Sequence, residues 1–328
     1  MALTTNYDSG SAGEPVLCPV CHGATETLFG DVFDDRYGYP DLFDLRKCRG
    51  CGHKHVPANF TAAELGALYT TYYPRKNFDI ASFQAAPEAS GFRAWLNGER
   101  GSAFRWVPPG VKVLDIGCGI GQTLAYHQKR GCEAVGIEAD DNVQAIAARH
   151  NLKIVNGVFD GTQFESSYFD YVTLDQVAEH VMDPLALMRG VHRVLKPEGT
   201  VIVTTPNPDS FGAGLYGRKW LNWHVPYHMQ FYTRRSMEIA ARQAGLALKG
   251  VRTITASDWQ FYQWRHVATF PRRGEKSAFW CPDDVKDPGH RSDRLVDKAR
   301  RYRLHRVISR VLDGLGIGDN RVFFLRKP

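Results

Sequence analysis

The chain has 328 residues, of which 43 % are hydrophobic and 23 % are charged. This length and composition allow a buried core and suggest about two domains, and they exclude collagen-like, disordered and disulfide-scaffold proteins. The 41 lysines and arginines exceed the 35 acidic residues by six, which suits an anionic small molecule and is too weak to argue for nucleic acid. No hydrophobic run approaches the roughly 18–20 residues that a membrane-spanning helix needs, and residues 1–15 lack the pattern of an export signal. We therefore expect a cytoplasmic protein of mixed fold.

Four of the seven cysteines form two Cys-x-x-Cys pairs, Cys18 with Cys21 and Cys48 with Cys51. An odd number of cysteines without an export signal favours reduced thiols and a metal site over disulfides. Four thiolates favour a tetrahedral Zn²⁺ ion with no open coordination position, which is a structural site. Redox chemistry at the pairs is the alternative, but it would have to explain each pair separately.

The region before residue 109 predicts a small metal-binding segment followed by a helical connection. Residues 1–15 are rich in Ser, Thr and Gly and are expected to be flexible, and residues 16–57 carry the cysteine pairs. Residues 58–108 are interpreted as a helical linker or lid. Within them, residues 61–73 predict a short helix and residues 88–107 a second helix that glycines weaken. A Pro-Pro-Gly sequence ends this region.

From residue 109 to residue 328 the chain alternates between strand and helix patterns. The predicted strands are 111–116, 133–138, 153–156, 168–175, 200–205, 246–255 and 321–325, and the predicted helices are 122–130, 142–150, 184–195 and 234–245. This alternation predicts an α/β fold in which a parallel, doubly wound sheet has helices on both faces.

Two insertions interrupt this alternation. Residues 206–232 predict a long loop with many aromatic side chains, and residues 257–316 contain helical patterns at 259–267 and 292–312. The last of these is basic, and we expect its charged face to be solvated. Its basic residues are Arg294, Lys298, Arg300, Arg301, Arg303, Arg306 and Arg310.

The sequence VLDIGCGIG, at residues 113–121, carries the strongest chemical signal. A strand runs directly into a glycine-rich turn and a helix, so that backbone N–H groups can approach a ligand. The G-x-G-x-G spacing differs from the dinucleotide pattern, which disfavours a nicotinamide dehydrogenase. Asp115 inside the turn would repel a pyrophosphate and suits a cation, and Glu138 ends the next strand, where a carboxylate can accept ribose hydroxyls. A ligand with a ribose, a positive charge and no phosphate fits S-adenosylmethionine.

Residues 111–205 resemble the class I S-adenosylmethionine-dependent methyltransferases. The resemblance is carried by VLDIGCGIG, by VGIEA with its acid, by FDYVTLDQVAEHVMDP and by LKPEGTVIVTTPN. It implies a seven-stranded Rossmann-like sheet. It also implies that Asp115, Gly117, Gly119 and Gly121 shape the methionine end, that Glu138 holds the ribose, that Val158 and Phe159 flank the adenine unless they are core residues, and that Asp175 and Gln176 lie near the sulfonium.

The N-terminal region adds a second resemblance, which covers roughly residues 16–205. A zinc ribbon, then a Leu-x-x-Leu-Tyr helix (here Glu64–Tyr73), then the methyltransferase fold is similar to the arrangement in bacterial enzymes that methylate sugars or other small metabolites. Deoxysugar C-methyltransferases with such a ribbon carry a further C-terminal domain. That domain is not apparent in this sequence, which argues against C-methylation.

The acceptor is expected at the carboxyl ends of the strands, where ligands collect in doubly wound sheets. His180 follows the fourth strand, and His224 and His228 lie among aromatic residues after the fifth. Imidazole is a suitable base at neutral pH, so the candidates in order are His228, His180 and His224. The alternative for each is a histidine that bonds the backbone and holds the loop. Similarly, Trp259, Tyr262, Trp264 and His266 form either a further wall of the pocket or the packed face of a helix.

We therefore expect a methyltransferase that acts on a small molecule, by O-methylation of a glycosyl or related metabolite, with nucleotide-linked and carrier-linked sugars as candidates. An RNA base methyltransferase is the first alternative, although the [DN]-P-P-[YF] signature is absent after the fourth strand. A cofactor-binding scaffold without activity is the second. The sequence leaves the oligomeric state open.

Overall fold

The computed structural model describes residues 15–73, 83–285, 301 and 303–328. The elements of the described residues are, in chain order, β1 (Thr25–Val32), β2 (Phe43–Cys48), β3 (Lys54–His55), α1 (Ala62–Ala67), α2 (Gly91–Asn97), β4 (Lys112–Ile116), α3 (Gln122–Lys129), β5 (Glu133–Glu138), α4 (Gln144–His150), β6 (Lys153–Asn156), β7 (Phe169–Asp175), α5 (Pro184–Val194), β8 (Leu195–Pro206), α6 (Phe211–Tyr216), β9 (Gln230–Phe231), α7 (Arg234–Gln243), β10 (Ala247–Thr253), α8 (Trp259–Ala268), α9 (Leu304–Gly314) and β11 (Asn320–Arg326).

The main sheet has seven strands in the order β10-β11-β8-β7-β4-β5-β6. It confirms the Rossmann-like methyltransferase fold, with one correction. The expectation of a parallel sheet is wrong at β11, which pairs antiparallel with both β8 and β10. The physical reason is that a short connection from α9 brings Asn320 directly opposite Pro206, at the carboxyl end of β8, so the strand can only run back along the sheet.

The predicted elements of this sheet agree closely with the observed ones. Helix α5, for example, begins as expected, because the Asp183 carboxylate accepts bonds from the N–H groups of Leu185 (2.9 Å) and Ala186 (2.8 Å), with Pro184 in the first turn. The largest difference is at β8, which begins at Leu195 rather than at residue 200, since Leu195 already pairs with Phe169.

The helical connection is more broken than the sequence predicts. Helix α1 passes into a π-helical turn over Leu68–Tyr72, and residues 88–107 form α2 and two 3₁₀ turns rather than one helix. Gly98 ends α2 at φ 72°, a left-handed conformation that glycine favours. Residues 74–82 of the predicted lid and residue 302 lie outside the described residues, as do the residues 1–14 that were expected to be flexible. No helix in the described part of the chain is long and hydrophobic enough to cross a membrane.

A second, four-stranded sheet has the order β1-β2-β3-β9. Its first three strands belong to the cysteine-bearing segment, whereas β9 comes from the predicted aromatic loop. Lys54 pairs with Phe231 and His55 with Gln230. The pairing places the end of that loop in the small sheet.

Helix α9 differs from the solvated basic helix that the sequence predicts. Arg310 is only 9 % exposed. Its guanidinium donates to the carbonyl oxygens of Trp95 (3.0 Å) and Thr255, and it forms an ion pair with Asp313 (2.9 Å). The outer side of the helix is instead hydrophobic, with Leu304, Val307, Ile308 and Val311 each more than half exposed. The N-terminal part of the predicted basic helix, residues 292–300, lies outside the described residues.

Replacing Arg310 with Met should destabilise the protein by about 3 kcal/mol, because it breaks a buried ion pair and leaves the carbonyl of Thr255 without the guanidinium donor. Urea unfolding measures the effect. Arg301→Met, at an exposed position of the same segment, is the control and should change the free energy of unfolding by less than about 0.5 kcal/mol. Equal effects of the two substitutions on the free energy of unfolding would show that the contacts of Arg310 contribute nothing to stability.

Candidate functional site

The glycine-rich turn between β4 and α3 forms the first half of the site. Gly117, Gly119 and Gly121 all have positive φ angles, of 71°, 53° and 82°. A Cβ atom on Gly117 would lie 2.5 Å from Cγ2 of Val177, and one on Gly121 would lie 2.6 Å from Cδ1 of Leu152. A Cβ on Gly119 would meet none of the described atoms within 4 Å. The outer two glycines are therefore required by packing, and the middle one borders open space that a ligand can enter.

Glu138 lies at the end of β5, beside this turn. Its Oε2 accepts the N–H of Gly119 at 2.9 Å, and its Oε1 accepts the N–H of Asp140 at 3.1 Å. The carboxylate is thus oriented by backbone groups on both sides. It is the group that the sequence predicts to hold the ribose of the cofactor.

Asp115 lies below the turn, where its carboxylate is buried and accepts bonds from two hydroxyl groups. The Thr173 hydroxyl donates to Oδ1 at 2.7 Å, and the Thr123 hydroxyl donates to Oδ2. Burial, together with the nearby carboxylates of Asp175 and Glu138, raises the pKa of Asp115 to about 6. Three acidic groups therefore meet at this edge of the sheet, an arrangement that favours a positively charged ligand.

The remaining predicted cofactor residues occupy different environments. The carboxylate of Asp175, at the end of β7, accepts bonds from the Thr204 hydroxyl and from the N–H of Ala103 (3.3 Å), and burial raises its pKa. The Gln176 amide donates to Oδ1 of Asn320 at 2.9 Å. Val158 is 77 % exposed, whereas Phe159 is partly buried against the core. Val158 thus does not serve as a core residue, while Phe159 does contribute to the core.

The four cysteines of the two pairs come together as expected. The Sγ–Sγ distances are 3.7 Å for Cys18–Cys51, 3.4 Å for Cys21–Cys48 and 3.4 Å for Cys21–Cys51. A tetrahedral site with Zn–S bonds of about 2.3 Å has sulfur atoms about 3.8 Å apart. The cluster is therefore compatible with a structural zinc ion.

The cysteine-bearing segment contacts α7 and the residues of and around β9. The Thr233 hydroxyl donates to the carbonyl of Cys51 at 3.0 Å, and Nε2 of His53 lies 2.9 Å from Oε1 of Gln230. The amide of Gln243 donates to the carbonyl of Val20 at 2.8 Å. The cysteine cluster thus sits directly against the residues that follow the aromatic loop.

The three candidate bases lie in one cluster at the carboxyl edge of the sheet. The N–H of Met229 donates to the carbonyl of Glu179 at 2.7 Å, which joins the turn after β7 to the loop before β9. The His228 ring centroid is 4.7 Å from that of His180 and 4.9 Å from that of His224. The sequence therefore identified residues that the fold does bring together.

Each of these histidines is neutral at neutral pH. Burial lowers the pKa of His180 to about 4 and the pKa values of His224 and His228 well below the usual value, and the positive charge of Arg36 adds to all three effects. Nδ1 of His228 lies 2.8 Å from the carbonyl of Asn222, so it must carry the proton. Nε2 of His228 consequently carries the lone pair of the ring, and it has no hydrogen-bond partner among the described residues.

Glu179 is fully buried beside these histidines. Neither of its carboxylate oxygens has a hydrogen-bond partner within the described part of the chain, and the same holds for the hydroxyl of neighbouring Thr205. Burial raises the pKa of Glu179 to about 8. One ligand atom each from Glu179, His180 and His228 lies within 4.8 Å of the other two.

A wall of tyrosines faces the histidine cluster. The ring of Tyr227 lies 5.5 Å from Tyr37, 5.7 Å from Tyr69 and 5.3 Å from Tyr73, and the Tyr69 hydroxyl is 3.3 Å from Nδ1 of His180. Tyr69 directly follows Leu68 in the predicted Leu-x-x-Leu-Tyr helix, and Tyr73 ends that helix, so a sequence signal for both existed. Tyr37, and Arg36 beside it, carry no such signal because both lie in the irregular connection between β1 and β2.

Helix α8 contributes packing and several polar contacts. The indole of Trp264 donates to the hydroxyl of Tyr216 at 3.0 Å, which fits the packed-face interpretation. His266 is buried, accepts the indole N–H of Trp280 at 3.0 Å and lies 3.3 Å from Oδ2 of Asp35. These side chains hold the insertion against the segment that carries Arg36.

Comparison with known proteins identifies the family. A methyltransferase-domain family matches residues 69–249. The ubiquinone biosynthesis O-methyltransferase of Xanthomonas campestris pv. campestris (strain B100) is 31 % identical over 193 residues, which are 55 % of this chain and 78 % of that protein. The enzyme of the same name from Pseudomonas aeruginosa (strain LESB58) is 31 % identical over 176 residues, covering 49 % and 72 %.

Among solved structures, the 1,6-didemethyltoxoflavin-N1-methyltransferase of Burkholderia thailandensis is similar over 85 % of this chain and 97 % of its own, with 12 % identity and a TM-score of 0.44. The family match covers more than half of this chain and includes the glycine-rich turn, the Glu138 strand and the histidine cluster. The chain therefore belongs to the methyltransferase-domain family and is an S-adenosylmethionine-dependent methyltransferase.

Proposed function

We propose that the protein transfers a methyl group to a hydroxyl oxygen of a small, ring-bearing metabolite, with a glycosyl compound as the first candidate. The observation that carries this proposal is the free Nε2 lone pair of buried His228, within a cluster that faces four tyrosines. An alcohol needs a base, which a neutral imidazole supplies, and tyrosine rings suit a sugar or another ring. The relatives named ubiquinone biosynthesis O-methyltransferases support O-methylation.

In this proposal the acidic edge of the sheet holds S-adenosylmethionine. The residues assigned to it are Asp115, Gly117, Gly119, Gly121, Glu138, Val158, Phe159, Asp175 and Gln176. When bound, the cofactor supplies a methyl group on a positively charged sulfur. Gly119 leaves room for the ligand, Glu138 accepts its ribose hydroxyls, and the buried carboxylates of Asp115 and Asp175 favour its positive charge.

On the acceptor side, Nε2 of His228 takes the proton of the acceptor hydroxyl. The acceptor oxygen then forms a bond to the methyl carbon while the carbon–sulfur bond breaks, and the electron pair of that bond stays on sulfur. The carbonyl of Asn222 keeps the proton on Nδ1 and fixes the ring. His180, His224 and the tyrosines position the acceptor, and positioning supplies much of the rate in such a displacement.

Glu138→Gln should weaken binding of S-adenosylhomocysteine by about 10- to 100-fold, because it removes the negative charge of the carboxylate that accepts hydrogen bonds from the ribose hydroxyls. Isothermal titration calorimetry measures the affinity. Glu133→Gln, at the opposite end of the same strand, should bind like the unaltered protein. Unchanged binding by Glu138→Gln would remove Glu138 from the cofactor site.

His228→Gln should lower kcat by about 10²- to 10⁴-fold while S-adenosylhomocysteine still binds, because the base is lost and the cofactor turn is untouched. The acceptor is first found by a cofactor-consumption screen against nucleotide-linked sugars, phenolic metabolites and RNA. His192→Gln, on α5, is the control and should keep full activity. Turnover with RNA alone would overturn the small-molecule proposal, and full activity of His228→Gln would exclude His228 as the base.

We also propose that the four cysteines bind a structural zinc ion whose removal affects the acceptor site. Cys48→Ser should lose one zinc equivalent and lower the thermal midpoint by about 5 °C or more, because the cluster contacts α7 and the residues around β9. Zinc analysis and thermal unfolding test this. Cys132→Ser, at a buried cysteine of the main sheet region, should keep the zinc. A Cys48→Ser protein with unchanged zinc content would contradict the proposal.

A further inference from the structure

We infer that Glu179, His180 and His228 hold a divalent transition-metal ion at the acceptor end of the site, separate from the cysteine cluster. One ligand atom from each residue lies within 4.8 Å of the other two. The backbone bond from Met229 to Glu179 fixes the two segments that carry them. Only small side-chain movements would bring three donors to the distances of about 2.0–2.2 Å that a zinc ion requires.

The hydrogen bonds around His228 favour coordination. A histidine ligand normally donates its second ring N–H to a carbonyl or carboxylate, which fixes the tautomer. Nδ1 of His228 does this with the carbonyl of Asn222 at 2.8 Å, so Nε2 presents its lone pair. The ring of His180 stands nearly perpendicular to that of His228, at 88°, and its Nδ1 is near the Tyr69 hydroxyl.

Glu179 supplies the second, independent observation. Its side chain is completely buried, and neither carboxylate oxygen forms a hydrogen bond of good geometry among the residues that the structure describes, although the Thr205 hydroxyl lies nearby and lowers the pKa of the carboxyl group. An unpaired buried carboxyl group is costly, and a bound cation satisfies both of its oxygens. A core position that needed only volume would be filled by a leucine or methionine at less cost.

The donor set indicates which ions fit. Two imidazoles and one carboxylate match the sites of catalytic zinc, whereas Mg²⁺ and Ca²⁺ prefer oxygen ligands. Three protein ligands leave a coordination position open. The charge of Arg36 near the cluster is offset by Asp35, whose Oδ1 lies 3.9 Å from its Nε. The site is thus distinct in chemistry from the cysteine cluster, which has four thiolates.

The role of the ion rests on the proposed O-methyl transfer. An acceptor hydroxyl in the open position would bind the ion directly, which lowers the pKa of that hydroxyl. Nε2 of His228 takes the acceptor proton while the site holds no metal. When the ion is bound to that nitrogen, the proton would pass instead to His224. Nε2 of His224 is buried with no hydrogen-bond partner in the described ranges, and its ring lies 4.9 Å from that of His228.

Metal content and Co²⁺ spectroscopy of the whole protein, without cofactor or acceptor, test the site. The unaltered protein incubated with micromolar Zn²⁺ should bind two equivalents. Glu179→Gln and His228→Gln should each bind one, and Cys48→Ser should keep the one that these two lose. Co²⁺ at the cysteine cluster gives thiolate charge-transfer absorption, and a second equivalent without that absorption should appear only where Glu179 and His228 are intact.

The control is His127→Gln, which removes another buried imidazole without hydrogen-bond partners in the described part of the chain and should leave two equivalents bound. Binding of S-adenosylhomocysteine confirms that each variant is folded. If Glu179→Gln or His228→Gln does not fold, His180→Asn, which alters a less buried ligand, is measured in its place. A single equivalent in the unaltered protein, or a second one that survives all three substitutions, overturns the inference. If the unaltered protein binds two equivalents of zinc but transfers no methyl group, the result would contradict the proposed function and still support the metal site.

Discussion

The acceptor side of this protein depends on a hydrophobic core that the cysteine-bearing segment shares with residues 206–232. Leu45 and Val56 from the first pack with Trp223, Met229 and Phe231 from the second. Polar contacts support the same interface, since Lys54 donates to the carbonyl of Pro208 and the guanidinium of Arg36 donates to that of Leu221. The histidine-bearing loop is therefore held by contacts outside the methyltransferase sheet. The cysteine-bearing segment, which the sequence predicts as a separate zinc ribbon, thus forms part of the structure that supports the acceptor site.

The two halves of the site differ in their charge. The cofactor half collects carboxylates: Asp175 and Glu138 lie near Asp115, whose side chain is buried. In the acceptor half, burial keeps His180, His224 and His228 uncharged. A sulfonium ligand gains from the first environment, whereas a neutral imidazole in the second can offer a lone pair to a proton or a metal ion. Burial produces both results because it raises the pKa of acids and lowers that of bases.

The cofactor half could be predicted from the sequence because its signals are local. The turn, its glycines and Asp115 lie within nine consecutive residues, and Glu138 ends the next strand. The acceptor half could be predicted only in part. The three histidines follow strand ends, where a ligand is expected, but strand β9 has two residues and no periodicity to reveal it. Tyr37 and Arg36 reach the site from a connection without regular structure, and the burial of Arg310 depends on contacts with distant carbonyls.

This difference in locality has an energetic consequence. The cofactor turn is held by neighbouring strands of a sheet that is complete without the cysteine segment, whereas Tyr37, Tyr69, Glu179 and His228 come from four separate parts of the chain. Opening of a segment that packs against a sheet from outside costs less free energy than opening of the central strands of that sheet. Loosening the ribbon should therefore disturb binding of the acceptor before it disturbs binding of the cofactor. A structural ion in the ribbon would in that way support specificity for the acceptor, although its cysteines lie outside the histidine cluster.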